Sequence, residues 1–256
     1  MLLVKQIIIM HCTKVVLVII FFLVSYSVTC SQTDSFEYKD PNYSRLLIAP
    51  SGRALEGGKG YFSVSALVPW NAPFIFPFVN VGITDFASVG VGATFIYGTF
   101  FYIAPQITPV RLKNIDISGG FGYFQTANFS DVEDMNIGFL YNINTFHHEK
   151  FTFSTGLGWF FNIHNRNNFE VEIAGVPHLL LSAEYIVGKD AKLITENWID
   201  FNESPLNLFS FGLRHFGKSY GIDFSMLALS NNFVPSGRSS YIFMPWITYS
   251  HTFRLW

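Results

Sequence analysis

Between Asp134 and Phe161 the chain alternates with a period of two. Met135, Ile137, Phe139, Tyr141 and Ile143 share one parity, and Asn136, Gly138, Asn142 and Asn144 the other, with Leu140 as an interruption. After His147-His148-Glu149-Lys150, the residues Phe151, Phe153, Leu157, Trp159 and Phe161 alternate with Thr152, Ser154, Gly156 and Gly158. Side chains of a strand point alternately to its two faces, so each half reads as a strand with one apolar face. The polar tetrad reads as the turn between them. If the apolar face looks outward, Phe139 meets lipid and Gly138 the interior. Phe139→Leu would then be nearly harmless.

The same pattern recurs along the chain. Tyr61 to Val68, Phe74 to Ile83, Ser88 to Tyr97, Ile115 to Phe124, Ala191 to Phe201, Leu206 to Phe216, Tyr220 to Leu229 and Tyr241 to Leu255 read as strands. Phe101 to Val110 is a weaker one, because Pro105 and Pro109 cannot donate to a ladder. Phe169 to Ile173 and Pro177 to Val187 do not resolve into one element or two. The expected architecture is an all-β, antiparallel up-and-down transmembrane β-barrel of about twelve strands, ten to fourteen, each about ten residues long.

Composition supports lipid on the outer face. Half of the 256 residues are hydrophobic and only 13% are charged, against roughly 25% in soluble domains. Phe alone occurs 29 times. A net charge of −2 gives no basic surface for nucleic acid. Lys14, an apolar run from Val15 to Val24 and small residues up to Ser31 have the order of a secretory signal peptide. The expected organisation is a signal peptide over 1–31, an N-terminal extension and turn over 32–59, and the barrel over 60–256. Export would carry the chain to the bacterial cell outer membrane. Met10 is an alternative start. Both cysteines, Cys12 and Cys30, fall within the signal, so the mature chain would hold no disulfide. Gln32 to Asn42 reads as polar and loose. Arg45 to Gly60 reads as a short extended piece and a turn before the first strand.

Two stretches carry a resemblance. Arg45 to Phe62, with Ala-Pro-Ser-Gly-Arg-Ala-Leu and then Gly-Lys-Gly-Tyr-Phe, resembles the opening of a family of uncharacterised bacterial outer-membrane β-barrel proteins. Phe78 to Gly92 resembles a hairpin common in such barrels. Trp246 to Trp256 is similar to the C-terminal strand by which outer-membrane barrels are recognised for assembly, although Trp256 falls off the parity of Ile247, Tyr249, Phe253 and Leu255. The resemblance implies outer-membrane lipid and the barrel assembly machinery as partners, and supplies no catalytic residues.

Candidate chemistry is sparse. His178, Ser182 and Glu184 share a parity, but His178 and Ser182 would lie ~13 Å apart along a strand, too far for a nucleophile and its base. His147, His148 and Glu149 diverge on a tight turn and do not make a metal site. Trp70, Trp159, Trp198, Trp246 and Trp256 fit aromatic girdles at the lipid–water boundaries. The inner parity carries Asp116, Glu184, Glu196, Arg214, Asp223 and Arg254, candidates to line the lumen. Buried charges must be paired or solvated, so an ion-pair network or a narrow polar path is expected. Gly90, Gly92, Gly120, Gly122, Gly138, Gly156 and Gly158 leave space inside or permit strand bending. These features favour a narrow channel or a structural membrane barrel, without enzymatic activity and without a cofactor. The alternatives are a carrier of a small hydrophobic ligand, in the membrane or secreted, and an outer-membrane lipid-modifying enzyme.

Overall fold

A computed structural model describes residues 40–68, 74–95, 99–127, 136–164, 170–200, 207–231 and 240–256. The expected signal peptide over 1–31, with both cysteines, and Met135 and Trp70 lie outside the described residues. Twelve strands are present: β1 (Lys59–Leu67), β2 (Phe74–Thr84), β3 (Ala87–Phe95), β4 (Thr99–Arg111), β5 (Ile115–Ala127), β6 (Asn136–His148), β7 (Phe151–His164), β8 (Glu170–Ile186), β9 (Ala191–Ile199), β10 (Leu208–Phe216), β11 (Tyr220–Asn231) and β12 (Ser240–Arg254). Each pairs antiparallel with its sequence neighbours, and β1 pairs with β12 from Lys59↔Arg254 to Leu67↔Trp246, closing the barrel. Closure leaves no edge, so every strand finds a ladder partner on both sides.

β4 is a strand despite its prolines. Its register to β5 shifts between Ile107 and Val110, around Pro109, where a missing donor is tolerated in a bulge. The stretch before Val187, which the pattern left undivided, is one strand, β8, whose register to β7 shifts between Gly158 and Phe160.

The outer surface is apolar over most strands. Phe62, Ile75, Val91, Phe101, Ile103, Leu157, Phe211, Phe224, Ile247 and Tyr249 are all exposed. A cylinder of such residues is costly in water and suited to hydrocarbon.

In β6 the expected parity is reversed. Phe139, Tyr141 and Ile143 are buried inside, whereas Leu140 and Asn142 are exposed. The neighbouring β7 follows expectation, with Phe151 and Leu157 outside and Ser154 inside. The reason for the reversal lies in the lumen, where β6 meets apolar residues of the N-terminal segment. Leu46 and Ala49 pack against Phe139, Tyr141, Ile143 and Leu180. The displaced amides are satisfied locally: Asn142 Nδ2 donates to the Ser118 carbonyl at 2.9 Å and Asn144 Nδ2 to Asn142 Oδ1 at 3.1 Å. Gly138 sits under the Phe161 ring, where an added Cβ would lie 2.0 Å from a ring carbon.

Residues 40–58 are therefore not a loose leader to β1. They fold back into the barrel as a hairpin. Arg45 bridges Pro50, Leu46 N–H donates to Ala49 O at 2.9 Å, and Ser51 N–H to Ser44 O at 2.9 Å. Leu46, Leu47, Ala54 and Leu55 are fully buried. Four apolar side chains in so short a segment are costly to leave in water, and the lumen buries them.

Candidate functional site: a lumen filled by the N-terminal segment

The barrel has two unlike ends. The turns after β2, β4, β6, β8 and β10 are short, and Lys59 and Leu255 lie at that same end. The segment 40–58 enters and leaves there, and its tip, Leu46 to Ala49, points toward the other end. At its base Gly82 lets the segment run against the wall, since a Cβ there would lie 1.8 Å from the Glu56 carbonyl oxygen.

Strand residues grip this hairpin through its backbone. Glu196 on β9 is fully buried, and its carboxylate accepts from the N–H groups of Leu47 (2.9 Å), Ile48 (2.9 Å) and Ala49 (3.0 Å). Trp198 Nε1 completes the set at 2.7 Å. Three successive N–H groups converging on one carboxylate form an anion-holding nest. Opposite partners hold the flanks. Gly52 N–H donates to Thr145 Oγ1 at 2.9 Å, Ala54 N–H to Thr108 Oγ1 at 2.7 Å, and Gln106 Nε2 to the Ser51 carbonyl at 2.6 Å.

The charges are concentrated at the short-turn end. Arg214 on β10, fully buried, donates to Asp223 Oδ1 at 2.6 Å and Asp40 Oδ2 at 2.9 Å. It also donates to the carbonyls of Asn42 (3.2 Å), Arg45 (3.0 Å) and Leu46 (2.6 Å). Arg45 reaches Asp223 at 2.7 Å, and Lys192 joins Asp40 at 2.7 Å and Glu184. Burial alone would raise the Asp40 carboxyl, but Lys192 and Arg214 outweigh it and hold the group well below the usual carboxylate range. A second cluster joins Asp116 to Arg53 at 3.3 Å and to His147 Nε2 at 2.9 Å.

Of the six lumen candidates, Asp116, Glu184, Glu196, Arg214 and Asp223 lie inside, in contact with the segment or with Lys192, which holds it. Arg254 is exposed at the end of β12. The partners Asp40, Arg45 and Arg53 escaped sequence reasoning because residues 40–58 read as leader and turn. Their signal was two arginines set among Leu46, Leu47, Ile48, Ala54 and Leu55. Thr145 and His147 escaped because they share the misassigned parity of Ile143. His178 lies 3.6 Å from Asp200, and Ser182 and Glu184 do not join it. Among the described residues no group of three His, Cys, Asp or Glu comes together as a metal site.

Beyond the tip the lumen changes character. Inward aromatic rings take over, starting from Phe78, which packs against Tyr43, Leu55 and Tyr61 beside the hairpin: Phe78 to Tyr102 (5.5 Å between centroids), Tyr102 to Phe124 (5.4 Å), then Phe139 to Phe160 (4.5 Å) and to Trp198 (5.5 Å). Trp198 and Trp246 thus lie inside rather than in an outer girdle. The inward glycines do not leave empty space. A Cβ on Gly90 would lie 2.2 Å from the Phe78 ring, on Gly92 2.3 Å from Tyr102, and on Gly158 2.4 Å from Phe139.

No protein-family model matches the chain, and no curated protein sequence matches it. Solved structures do. The KdgM porin superposes with a TM-score of 0.54 at 8% identity, over 77% of this chain and 99% of that one. The outer membrane phospholipase A from Escherichia coli gives 0.47 at 10% identity, over 86% and 100%. The CymD monoaromatic hydrocarbon channel gives 0.42 at 9%, over 78% and 90%. At such identities the likeness is one of fold, and the fold is that of the outer-membrane β-barrels.

Proposed function

We propose that this chain is an outer-membrane β-barrel channel whose own residues 40–58 keep it shut at the short-turn end. The observation that carries the reading is the grip on the hairpin: Glu196 on its tip, Arg214 on three of its carbonyls, and Thr145, Thr108 and Gln106 on its flanks. A purely structural barrel of this width has no need of a separate, charge-matched stopper. The apolar outer wall and the porin-like fold support the membrane setting. Short turns face the periplasm in outer-membrane barrels, which puts the shut end on that side. His178, Ser182 and Glu184 give catalysis no support.

Single-channel recording in planar bilayers tests the reading. The full chain should be silent or conduct in rare bursts, and a variant lacking residues 42–55 should conduct steadily. Equal, steady conductance from both would sink it. Silence from both would favour a structural barrel.

A further inference from the structure

The half of the lumen beyond the hairpin tip has a chemistry that closure does not need. Phe78, Tyr102, Phe124, Phe139, Phe160 and Trp198 come from β2, β4, β5, β6, β7 and β9, so the rings are spread around much of the wall. Five of the six are only partly buried although they point inward; Phe139, lowest against the tip, is buried. Phe78 and Tyr102 are nearly parallel (7°), and Tyr102 and Phe124 are 25° apart. Gly90, Gly92 and Gly158 let three of these rings lie directly over the strand backbone. Rings seated over glycine keep the middle of the lumen clearer than rings projecting from a wall of larger residues.

Among the described residues polar groups at this level are few, with Asp200 beside His178 and the buried Thr94 hydroxyl among them. The Tyr102 hydroxyl has no hydrogen-bond partner among the described residues, and His178 stands edge-on to Phe160 at 5.0 Å. Trp246, which packs on Phe76, keeps an indole N–H without a partner. A sugar would need many more donors and acceptors than these. A flat apolar molecule with one polar substituent matches both the ring surfaces and the short polar inventory.

We propose that this aromatic belt is a binding site for a small planar, mostly apolar molecule bearing a single hydroxyl or carbonyl, reached from the long-loop end. The hairpin tip forms its floor. Leu46 and Ala49 belong to the same apolar cluster as Phe139, with Phe124, Phe160 and Trp198 packed against it. The site rests on the hairpin being seated, but not on its ever withdrawing.

Equilibrium dialysis of the full chain in lipid nanodiscs, against 2-naphthol, tests this, with empty nanodiscs subtracted. Saturable uptake of one molecule per chain is expected. The saturated analogue 2-decalol, with the same hydroxyl and nearly the same carbon frame, should bind ~10-fold more weakly, the loss of roughly one ring–ring contact or two. Tyr102→Leu and Phe160→Leu should each weaken 2-naphthol binding by a similar factor, and Phe211→Leu on the outer wall should leave it unchanged. Uptake no greater than in empty nanodiscs, or equal binding of the planar and saturated alcohols, overturns the site; the second comparison uses the unaltered chain, so no folding defect in a variant can obscure it. A chain that never conducts but shows the planar preference would fail as a channel and keep its site.

Discussion

The two halves of the lumen are held in opposite ways. At the short-turn end, Arg214, Asp223, Asp40 and Lys192 lie out of water and satisfy one another and the backbone of residues 40–58. Beyond the tip, Phe78, Tyr102 and Phe124 meet through ring contacts, as do Phe139 and Phe160. In a buried ion cluster the loss of one member leaves the charges it held short of a partner and out of water. Ring contacts are graded, and the loss of one leaves the rest in place. One half thus specifies a single closed arrangement, and the other tolerates change.

Arg214→Ala should break this contrast most severely. It leaves Asp223 with Arg45 and Asp40 with Lys192 as their remaining ion-pair partners and takes a donor from three carbonyls, a cost of ~3–5 kcal/mol. The urea midpoint in vesicles should fall sharply, and the hairpin should become accessible to protease at Arg45 and Arg53. Phe139→Ala removes a buried ring between the halves and should cost ~3 kcal/mol, whereas Phe139→Leu should cost about 1 kcal/mol. Both are read from the same unfolding curves. A harmless Phe139→Leu would return the ring to the lipid face.

Glu196→Gln keeps the shape of the latch but loses its charge and one acceptor. About 1–3 kcal/mol should go, with more frequent opening in single-channel records. Acid should loosen the hairpin through Asp40. Its folded pKa is depressed, so its stabilisation is full above the ordinary carboxyl range, about pH 4, and is lost as pH falls below it. Comparing urea midpoints of the native chain and Asp40→Asn from pH 6 to pH 3 isolates this share; the gap between them should be constant above about pH 5 and begin to narrow below about pH 4. The smallest effect is expected at Phe211, 60% exposed on the outer wall, where Phe211→Leu should change stability by less than about 0.5 kcal/mol.

Strands β6 and β7 show how far a pattern reaches. Both alternate, both are strands, and the turn between them is where His147 to Lys150 placed it. In β7 small residues had to face inward, because Ser154 and Gly156 would leave the lipid face bare. In β6 each parity offered something apolar, since Leu140 and Phe146 share a face with Asn142 and Asn144. Periodicity marks two faces but does not label them.

The sequence by itself determined most of the strands, their number to within a hairpin and their antiparallel order, because alternation and turn residues act over a few neighbours. It also determined that Asp116, Glu184, Glu196, Arg214 and Asp223 fall on one parity and need partners. What only the tertiary structure decided is who those partners are. Asp40, Arg45 and Arg53 lie far from them along the chain and meet them only once the barrel has closed around the hairpin. The inward turn of Phe139 follows from the same event, for a strand takes its inside from what fills the lumen, and that is a property of the whole barrel.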